Sequence, residues 1–307
     1  MRAAVIHEFG EPTVVRVEDV DDPLVGPDYV LIKVAAAGVN PVDWKMVAGY
    51  LQGAFPHHLP LIPGWDVSGE VVGVGPAVTH VAVGDRVSAY ARKDHVQNGT
   101  FAELVAVHIR AVAKVPDDVD LVDAGALPLA GLTAAQLLDA TEVAAGDTVL
   151  VHAAAGGVGS FATQLAVARG ARVLGTGSTA GHDYLRGLGA EPLEYGEGLT
   201  ARVEELCPGG VDVVVDLIGG DALAATPDLL APNGRVGSIV EADTVHELGG
   251  RYVFVRPDAG MLGELLQQVG RGEVKVHIAE RFGLDQAAEA LAATKTGHVR
   301  GKVVLTL

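Results

Sequence analysis

The sequence predicts an α/β protein built from a β-rich N-terminal half and a doubly wound parallel sheet. Three observations carry this. The chain is 307 residues long, enough for two domains. Up to about Asp120, short apolar runs alternate with Gly, Pro and Asp, the pattern of a β barrel or sandwich. From Val122 onward, unbroken apolar strands alternate with helical segments, the pattern of a parallel sheet covered on both faces.

The elements follow in order. Ala3 to Ile6, Val14 to Val17, Tyr29 to Ala36, Gly69 to Val74 and Arg86 to Tyr90 read as strands, with a helix near Asp43 to Ala48. Ala124 to Ala140 is Ala- and Leu-rich and reads as a long helix. Then come strand Thr148–His152, helix Val158–Ala168, strand Arg172–Thr176, helix His182–Leu188, strand Asp212–Leu217, helix Leu223–Leu230 and strand Arg235–Ile239. Pro257 to Gly270 reads as a further helix, and the tail from Lys275 mixes β and α before the strand Lys302–Leu307. There is no internal repeat.

Composition removes several classes. Apolar residues make up 49% and charged residues 20%, so the chain has the material for packed cores and is not disordered. Against 22 basic residues stand 39 acidic ones, a formal charge of −17. With no basic run, that surface repels phosphate backbones and anionic membranes, so neither nucleic acid nor a membrane is expected as partner. The single cysteine, Cys207, excludes an internal disulfide and any zinc site that needs several thiolates. Met1 to Ile6 runs directly into His7 and Glu8, too short for a signal-peptide core. Thr148 to Ala168 contains no charged residue, but its glycines mark a buried strand, turn and helix instead of a membrane span. A cytoplasmic protein is expected.

The strongest local signal is Val149-Leu150-Val151-His152-Ala153-Ala154-Ala155-Gly156-Gly157-Val158-Gly159. A buried strand feeds a glycine turn that opens a helix, which aims free N–H groups and the positive helix end at a diphosphate. Gly156 and Gly157 let backbone approach the phosphates beside Ala155 and Val158, while Gly159 lets helix and strand pack closely. The second strand follows in the required order, so the reading is dinucleotide binding. An NAD site usually closes that second strand with an acid on the ribose hydroxyls. Here the strand ends Gly175-Thr176-Gly177-Ser178-Thr179, with no acid before Asp183. Ser178 and Thr179 can donate to a 2′-phosphate and His182 or Arg186 can add charge, which favours NADPH.

Several further motifs in order complete the picture: Ala37-Gly38-Val39-Asn40-Pro41-Val42-Asp43-Trp44-Lys45, Pro63-Gly64-Trp65-Asp66-Val67-Ser68-Gly69, Leu127-Pro128-Leu129-Ala130-Gly131-Leu132-Thr133-Ala134, Val215-Asp216-Leu217-Ile218-Gly219-Gly220 and Gly297-His298-Val299-Arg300-Gly301-Lys302. With the glycine turn they resemble, over the whole chain, the medium-chain dehydrogenase/reductase superfamily in its zinc-free quinone oxidoreductase branch. The resemblance implies a GroES-like β-barrel catalytic domain, 1–122 and 258–307, interrupted by a Rossmann domain, 123–257, with the cofactor in the cleft between them. It also implies a homodimer joined near Tyr252 to Val255. Asn40 and Trp65 stand where zinc-dependent relatives carry metal ligands, so no metal is expected; the adjacent His57-His58 pair does not make a tetrahedral site.

Without a metal Lewis acid, the expected chemistry is hydride transfer to a small apolar quinone or to the activated C=C of an α,β-unsaturated carbonyl, with donors for the developing oxyanion. Asn40 resembles the family's substrate-pocket Asn. Tyr50 resembles a Tyr acid of related enoyl reductases, although its spacing from Asn40 is one residue short. Asp43 and Lys45 read as an ion pair or helix cap. The resemblance places Thr133 at the nicotinamide carboxamide, Tyr195 at the adenosine ribose phosphate, and Ile218, Gly219, Ile239 and Val240 at strand ends along the cofactor. Arg300 and Lys302 are candidates for closing the cleft. The competing readings are an enoyl reductase of a biosynthetic pathway and a non-catalytic NADPH-binding sensor or dimeric scaffold.

Overall fold

The computed structural model describes all 307 residues. In the N-terminal stretch, β1 (Arg2–Val5) pairs antiparallel with β2 (Arg16–Asp19). The sequence places this second strand at Val14–Val17; instead Pro12–Val14 is a 3₁₀ turn, because proline fixes φ and lacks the N–H a ladder needs. β3 (Tyr29–Val39) is followed by α1 (Pro41–Val47), then β4 (His57–Ile62), β5 (Asp66–Val74), β6 (Arg86–Tyr90), β7 (Val96–Asn98), β8 (Leu104–His108) and β9 (Val112–Lys114). The helical stretch expected over Ala124–Ala140 is two helices, α2 (Leu121–Ala126) and α3 (Pro128–Ala140). The break falls ahead of Pro128, where a continuing helix would lose an N–H and meet the ring.

Next comes the parallel sheet. Its strands are β10 (Thr148–Val151), β11 (Arg172–Gly177), β12 (Glu191–Glu194), β13 (Val211–Asp216), β14 (Leu230–Ser238) and β15 (Arg251–Tyr252). The intervening helices are α4 (Gly157–Ala168), α5 (His182–Gly187), α6 (Leu199–Leu206), α7 (Gly220–Ala224) and α8 (Ala242–Glu247). Every neighbouring pair is parallel, and the spatial order is β12-β11-β10-β13-β14-β15, the dinucleotide-binding order with its switch point between β10 and β13. Val149, Leu150, Val151, Val213, Val214 and Val215 are fully buried, which explains why these strands read as unbroken apolar runs. One expectation fails here. Leu223–Leu230 is not one helix: α7 ends at Ala224, Thr226–Asp228 is a 3₁₀ turn, and β14 already starts at Leu230. Pro227 cannot continue the helical ladder, and the two leucines at 229 and 230 enter strand packing.

The tail adds α9 (Ala259–Gly270), β16 (Ile278–Gly283), α10 (Ala287–Lys295) and β17 (Lys302–Thr306). Asp258 caps α9 by accepting from the Met261 N–H at 3.0 Å. β16 and β17 join the N-terminal strands in a seven-stranded sheet of order β16-β17-β3-β5-β6-β9, with β8 also paired to β3. The chain divides into one unit of Met1–Leu132, Pro257–Gly272 and Val276–Leu307, and a second of Thr133–Arg256 with Glu273–Lys275. The first unit is thus discontinuous in sequence, closed by the antiparallel register Val303↔Val39 and Val304↔Gly38. No helix is long and apolar enough to cross a membrane.

Candidate active site

In the second unit the parallel sheet sets the geometry. Because all six strands point the same way, the segments after each one gather at one edge, outside the carboxyl ends of the strands, where open α/β sheets bind ligands. Ala155, Gly156, Gly157, Val158 and Gly159 follow β10; Ser178, Thr179 and His182 follow β11; Tyr195 follows β12; Ile218 and Gly219 follow β13; Ile239 and Val240 follow β14. The structure therefore brings these predicted residues to one edge. Thr133 stands apart from that set, buried within α3.

The glycine turn is held from below. His152 N–H donates to the Val215 carbonyl at 3.0 Å, Ala154 N–H to the Thr176 carbonyl at 3.0 Å, and Ala153 N–H to Thr176 Oγ1 at 3.1 Å. Ala153 sits at φ 50°, a left-handed conformation that costs a non-glycine residue energy. A Cβ on Gly159 would lie 2.2 Å from the Ala153 carbonyl oxygen, whereas one on Gly156 would meet only that oxygen, at 3.4 Å. Gly159 is thus demanded by packing, and Gly156 leaves open a cradle that a side chain would fill. The N–H groups of Gly157, Val158 and Gly159 have no protein acceptor, as the first turn of a helix requires. These features fit a diphosphate.

The neighbouring loops are fixed by a buried pair. Asp216 accepts from Ser238 Oγ at 2.6 Å and from the N–H groups of Ile218 and Gly219 at 3.2 and 3.0 Å, while Ser238 Oγ accepts from Val240 N–H at 3.1 Å. This ties the ends of β13 and β14 together. Burial holds the His152 imidazole below its ordinary pKa, opposed by the charge of Asp216, so it is neutral at neutral pH. Near Ser178, Thr179 Oγ1 donates to Glu194 Oε1 at 3.2 Å; Tyr195 is exposed, and the His182 Nε2 atom is buried without a protein partner.

The first unit holds a different kind of centre. Asn40 follows β3 and caps α1; it is 2% exposed. Its Nδ2 donates to Asp66 Oδ2 at 2.8 Å, its Oδ1 accepts from Lys302 Nζ, and its backbone N–H donates to Asp43 Oδ2 at 2.7 Å. Asp66 also accepts from the Leu129 N–H at 2.8 Å and lies 3.7 Å from Lys302 Nζ. Burial pushes the Asp43 carboxyl up to about 8, with the charge of Asp66 adding to it and the Asn40 N–H opposing it. Burial likewise pushes Asp66 up to about 6 against the pull of Lys302 and Asn40. Desolvation lowers the Lys302 ammonium, and the two carboxylates oppose that. Asp43 is the helix cap the sequence suggests, with no ion pair to Lys45, whose Nζ lies 5.9 Å over the Trp44 ring.

Lys302 corrects one expectation: at 3% exposure it is buried beside Asn40 and Asp66 and does not reach out to close anything. Asp43, Asp66 and Lys302 as a set are what the sequence reading missed. A signal was present, a lone lysine opening the apolar strand Lys302-Val303-Val304-Leu305, since a charge on a buried strand needs a partner. Tyr50 is not drawn into this cluster. It is 71% exposed, with its ring edge-on to Trp44 at 5.8 Å.

No three His, Cys, Asp or Glu side chains are placed to hold a metal. Of the two positions where zinc ligands would be sought, Asn40 is an amide bonded to a carboxylate and an ammonium, and Trp65 carries an indole N–H that only donates. The donors present do not fit zinc.

Comparison with known proteins matches residues 26–117 to the family "Alcohol dehydrogenase GroES-like domain" and residues 188–305 to "Zinc-binding dehydrogenase". The chain is 36% identical to an NADPH-dependent alkenal/one oxidoreductase of Arabidopsis thaliana, over 99% of this chain and 79% of the relative. It superposes on the quinone oxidoreductase of Coxiella burnetii with a TM-score of 0.91 and 34% identity, covering 100% and 99% of the two chains. A mycobacterial protein solved in complex with NADPH matches with a TM-score of 0.86 and 32% identity over 100% of both chains.

Proposed function

The chain belongs to the medium-chain dehydrogenase/reductase superfamily, and from that premise we propose that it is a zinc-independent, NADPH-dependent oxidoreductase that reduces a quinone or the activated C=C of an α,β-unsaturated carbonyl. The observation that carries the reading is the carboxyl edge of the six-stranded sheet, where the glycine turn and four further strand ends lie side by side on either flank of the switch point. The relatives' names, an alkenal/one oxidoreductase and a quinone oxidoreductase, support the two acceptor classes.

Bound NADPH supplies hydride from C4 of its nicotinamide. The chain's own work is to bind, orient and stabilise charge. Gly156, Gly157, Val158 and Gly159 offer backbone N–H groups to the diphosphate beside Ala155. Ser178, Thr179, His182 and Tyr195 would hold the 2′-phosphate, with the Thr179 hydroxyl, now on Glu194, available as a donor. Ile218, Gly219, Ile239 and Val240 would hold the nicotinamide half, and Thr133 its carboxamide. On the acceptor, Asn40 donates to the oxygen that gathers negative charge, and Tyr50 is the candidate proton donor. For an enone the balance is one hydride to the β carbon and one proton to the α carbon; for a quinone, hydride plus proton give the hydroquinone.

Two further parts of the reading are a homodimer through the edge strand β15, next to the exposed Phe254, and a cytoplasmic location. Light scattering of the purified protein tests the dimer. The activity is tested by NADPH consumption at 340 nm against 1,4-benzoquinone, 9,10-phenanthrenequinone, an alkyl enone and a crotonyl thioester, with NADH in parallel and with and without chelator. Chelator-resistant turnover with NADPH is expected. Tight NADPH binding without turnover of any acceptor would refute it in favour of a sensor or scaffold.

A further inference from the structure

Asn40, Asp66 and Lys302 come from three distant parts of the sequence, and each is almost wholly buried. A carboxamide has two ends that differ in kind: the oxygen only accepts and the nitrogen only donates. Here the two ends are met by groups that also differ in kind. The Lys302 ammonium can only donate, and it sits on Oδ1; ionised Asp66 can only accept, and it sits on Nδ2. Rotating the amide by half a turn would set N–H against ammonium and oxygen against carboxylate, two buried repulsions where there were two charge-assisted bonds. The side chain therefore has one orientation. Two of its four hydrogen-bonding capacities are spent in holding it, and one Nδ2 hydrogen has no acceptor in the protein.

Resting on the reductase reading above, we propose that Lys302 and Asp66 are positioning residues that lock the Asn40 carboxamide, so that its spare amide hydrogen is the donor to the acceptor's oxygen as hydride arrives. When hydride adds to the β carbon of an enone, the C=C electron pair moves to the carbonyl oxygen, which becomes an enolate. A donor fixed beforehand needs no reorganisation at that moment. The enolate then takes a proton at the α carbon, and Asn40 keeps both of its own hydrogens. Burial explains the use of a neutral donor: the amide stabilises the oxyanion without adding a further charge to a cluster that already holds the ionised Asp66 and the Lys302 ammonium.

The lock has a charge condition. Asp66 must be ionised to refuse the amide oxygen; once protonated it accepts either end, and the orientation loosens. The groups that face Asp66 are Lys302 on β17, Asn40 before α1, Asp43 on α1, the Leu129 N–H on α3 and, across the β5–β6 ladder, Tyr90. Of these, burial pushes the Tyr90 hydroxyl far up, so it stays neutral, and Lys302 is the only cation bonded to the amide. Because Asp66 titrates at about 6, the turnover number falls below that pH in the wild type.

The test compares Lys302→Met/Asp66→Asn, Asn40→Ala and the triple variant in steady-state NADPH oxidation with an enone. The double variant removes both charges together, so no unpaired ion is left buried. NADPH binding, followed by nicotinamide fluorescence, serves as the folding control. The expected result is a kcat about 10- to 100-fold lower in the double variant with KM changed by less than about three-fold. The triple variant should be no worse than Asn40→Ala, because the lock acts only through the amide. Asp66→Asn alone, nearly isosteric, should lose the acid limb of the kcat profile even if the double variant does not fold. Wild-type kcat in the double variant, losses that multiply in the triple, or an acid limb that survives Asp66→Asn would each overturn the proposal. An inactive wild type would instead overturn the reductase reading beneath it.

Discussion

Two regions of this molecule build polar sites by opposite means. The turn after β10 uses backbone: unpaired N–H groups at the start of α4 and glycines that keep side chains out of the way. The cluster around Asn40 uses side chains, gathered from α1, β5 and β17 and buried together. The first is made by eleven consecutive residues, Val149 to Gly159. The second exists only because β17 pairs with β3 and brings the end of the chain beside residue 40. A backbone site tolerates any side chain that fits and fails when a Cβ intrudes. A side-chain site fails when one charge is removed.

The largest effect should come from unbalancing the buried charges. Lys302→Met leaves the ionised Asp66 without its cation and should cost about 3–5 kcal/mol of stability, while Lys302→Met/Asp66→Asn should recover most of it. Urea unfolding of the two proteins measures the contrast directly. An equal loss in both would mean that the lysine stem, and not its charge, is what matters.

The backbone site breaks by volume. Gly159→Ala places a Cβ 2.2 Å from the Ala153 carbonyl oxygen, so the turn must shift. It should lose about 1–3 kcal/mol of stability and about 100-fold in NADPH affinity. Gly156→Ala, which meets only one atom at 3.4 Å, should fold normally yet bind NADPH about 10-fold more weakly. Paired calorimetric titrations separate the two roles.

The comparison also explains what could be read in advance. Strand, turn, helix and second strand are consecutive, so their order alone located the carboxyl-edge residues. Alternation of apolar runs gave the parallel sheet because its central strands are buried on both faces. What could not be read depended on contacts distant in sequence or on local competition. The partners of Asn40 lie 26 and 262 residues away, and no local pattern encodes that. Short elements such as β7 and β15 carry too few residues for a periodic signal. Around Leu223–Leu230, the apolar spacing favoured a helix that Pro227 then cut short.

The pH dependence sharpens the contrast further. In the folded chain Asp43 keeps its proton up to about pH 8, against 3.8 when free. Between these values the native state binds more protons than the unfolded state, so stability falls as pH rises, by at most about 1.4 kcal/mol per pH unit. Lys302 has the opposite sign: lowered in the folded state, it makes stability rise again as pH climbs from its folded value towards 10.5. Melting curves from pH 5 to 8 should show the decline in the wild type and a flatter profile in Asp43→Asn. At the carboxyl edge, Glu194→Gln removes an exposed charge beside Thr179. It should improve NADPH affinity only about two- to three-fold and leave NADH unchanged.

The central claim is that hydride passes from NADPH to the acceptor with no metal to polarise a carbonyl. It is tested most directly by following the hydrogen itself. NADPH deuterated at C4 of the nicotinamide, incubated with an alkyl enone and chelator, should give the saturated ketone with deuterium on the β carbon and the carbonyl intact. Deuterium on the carbonyl carbon of an allylic alcohol, or loss of turnover on chelation, would contradict the account.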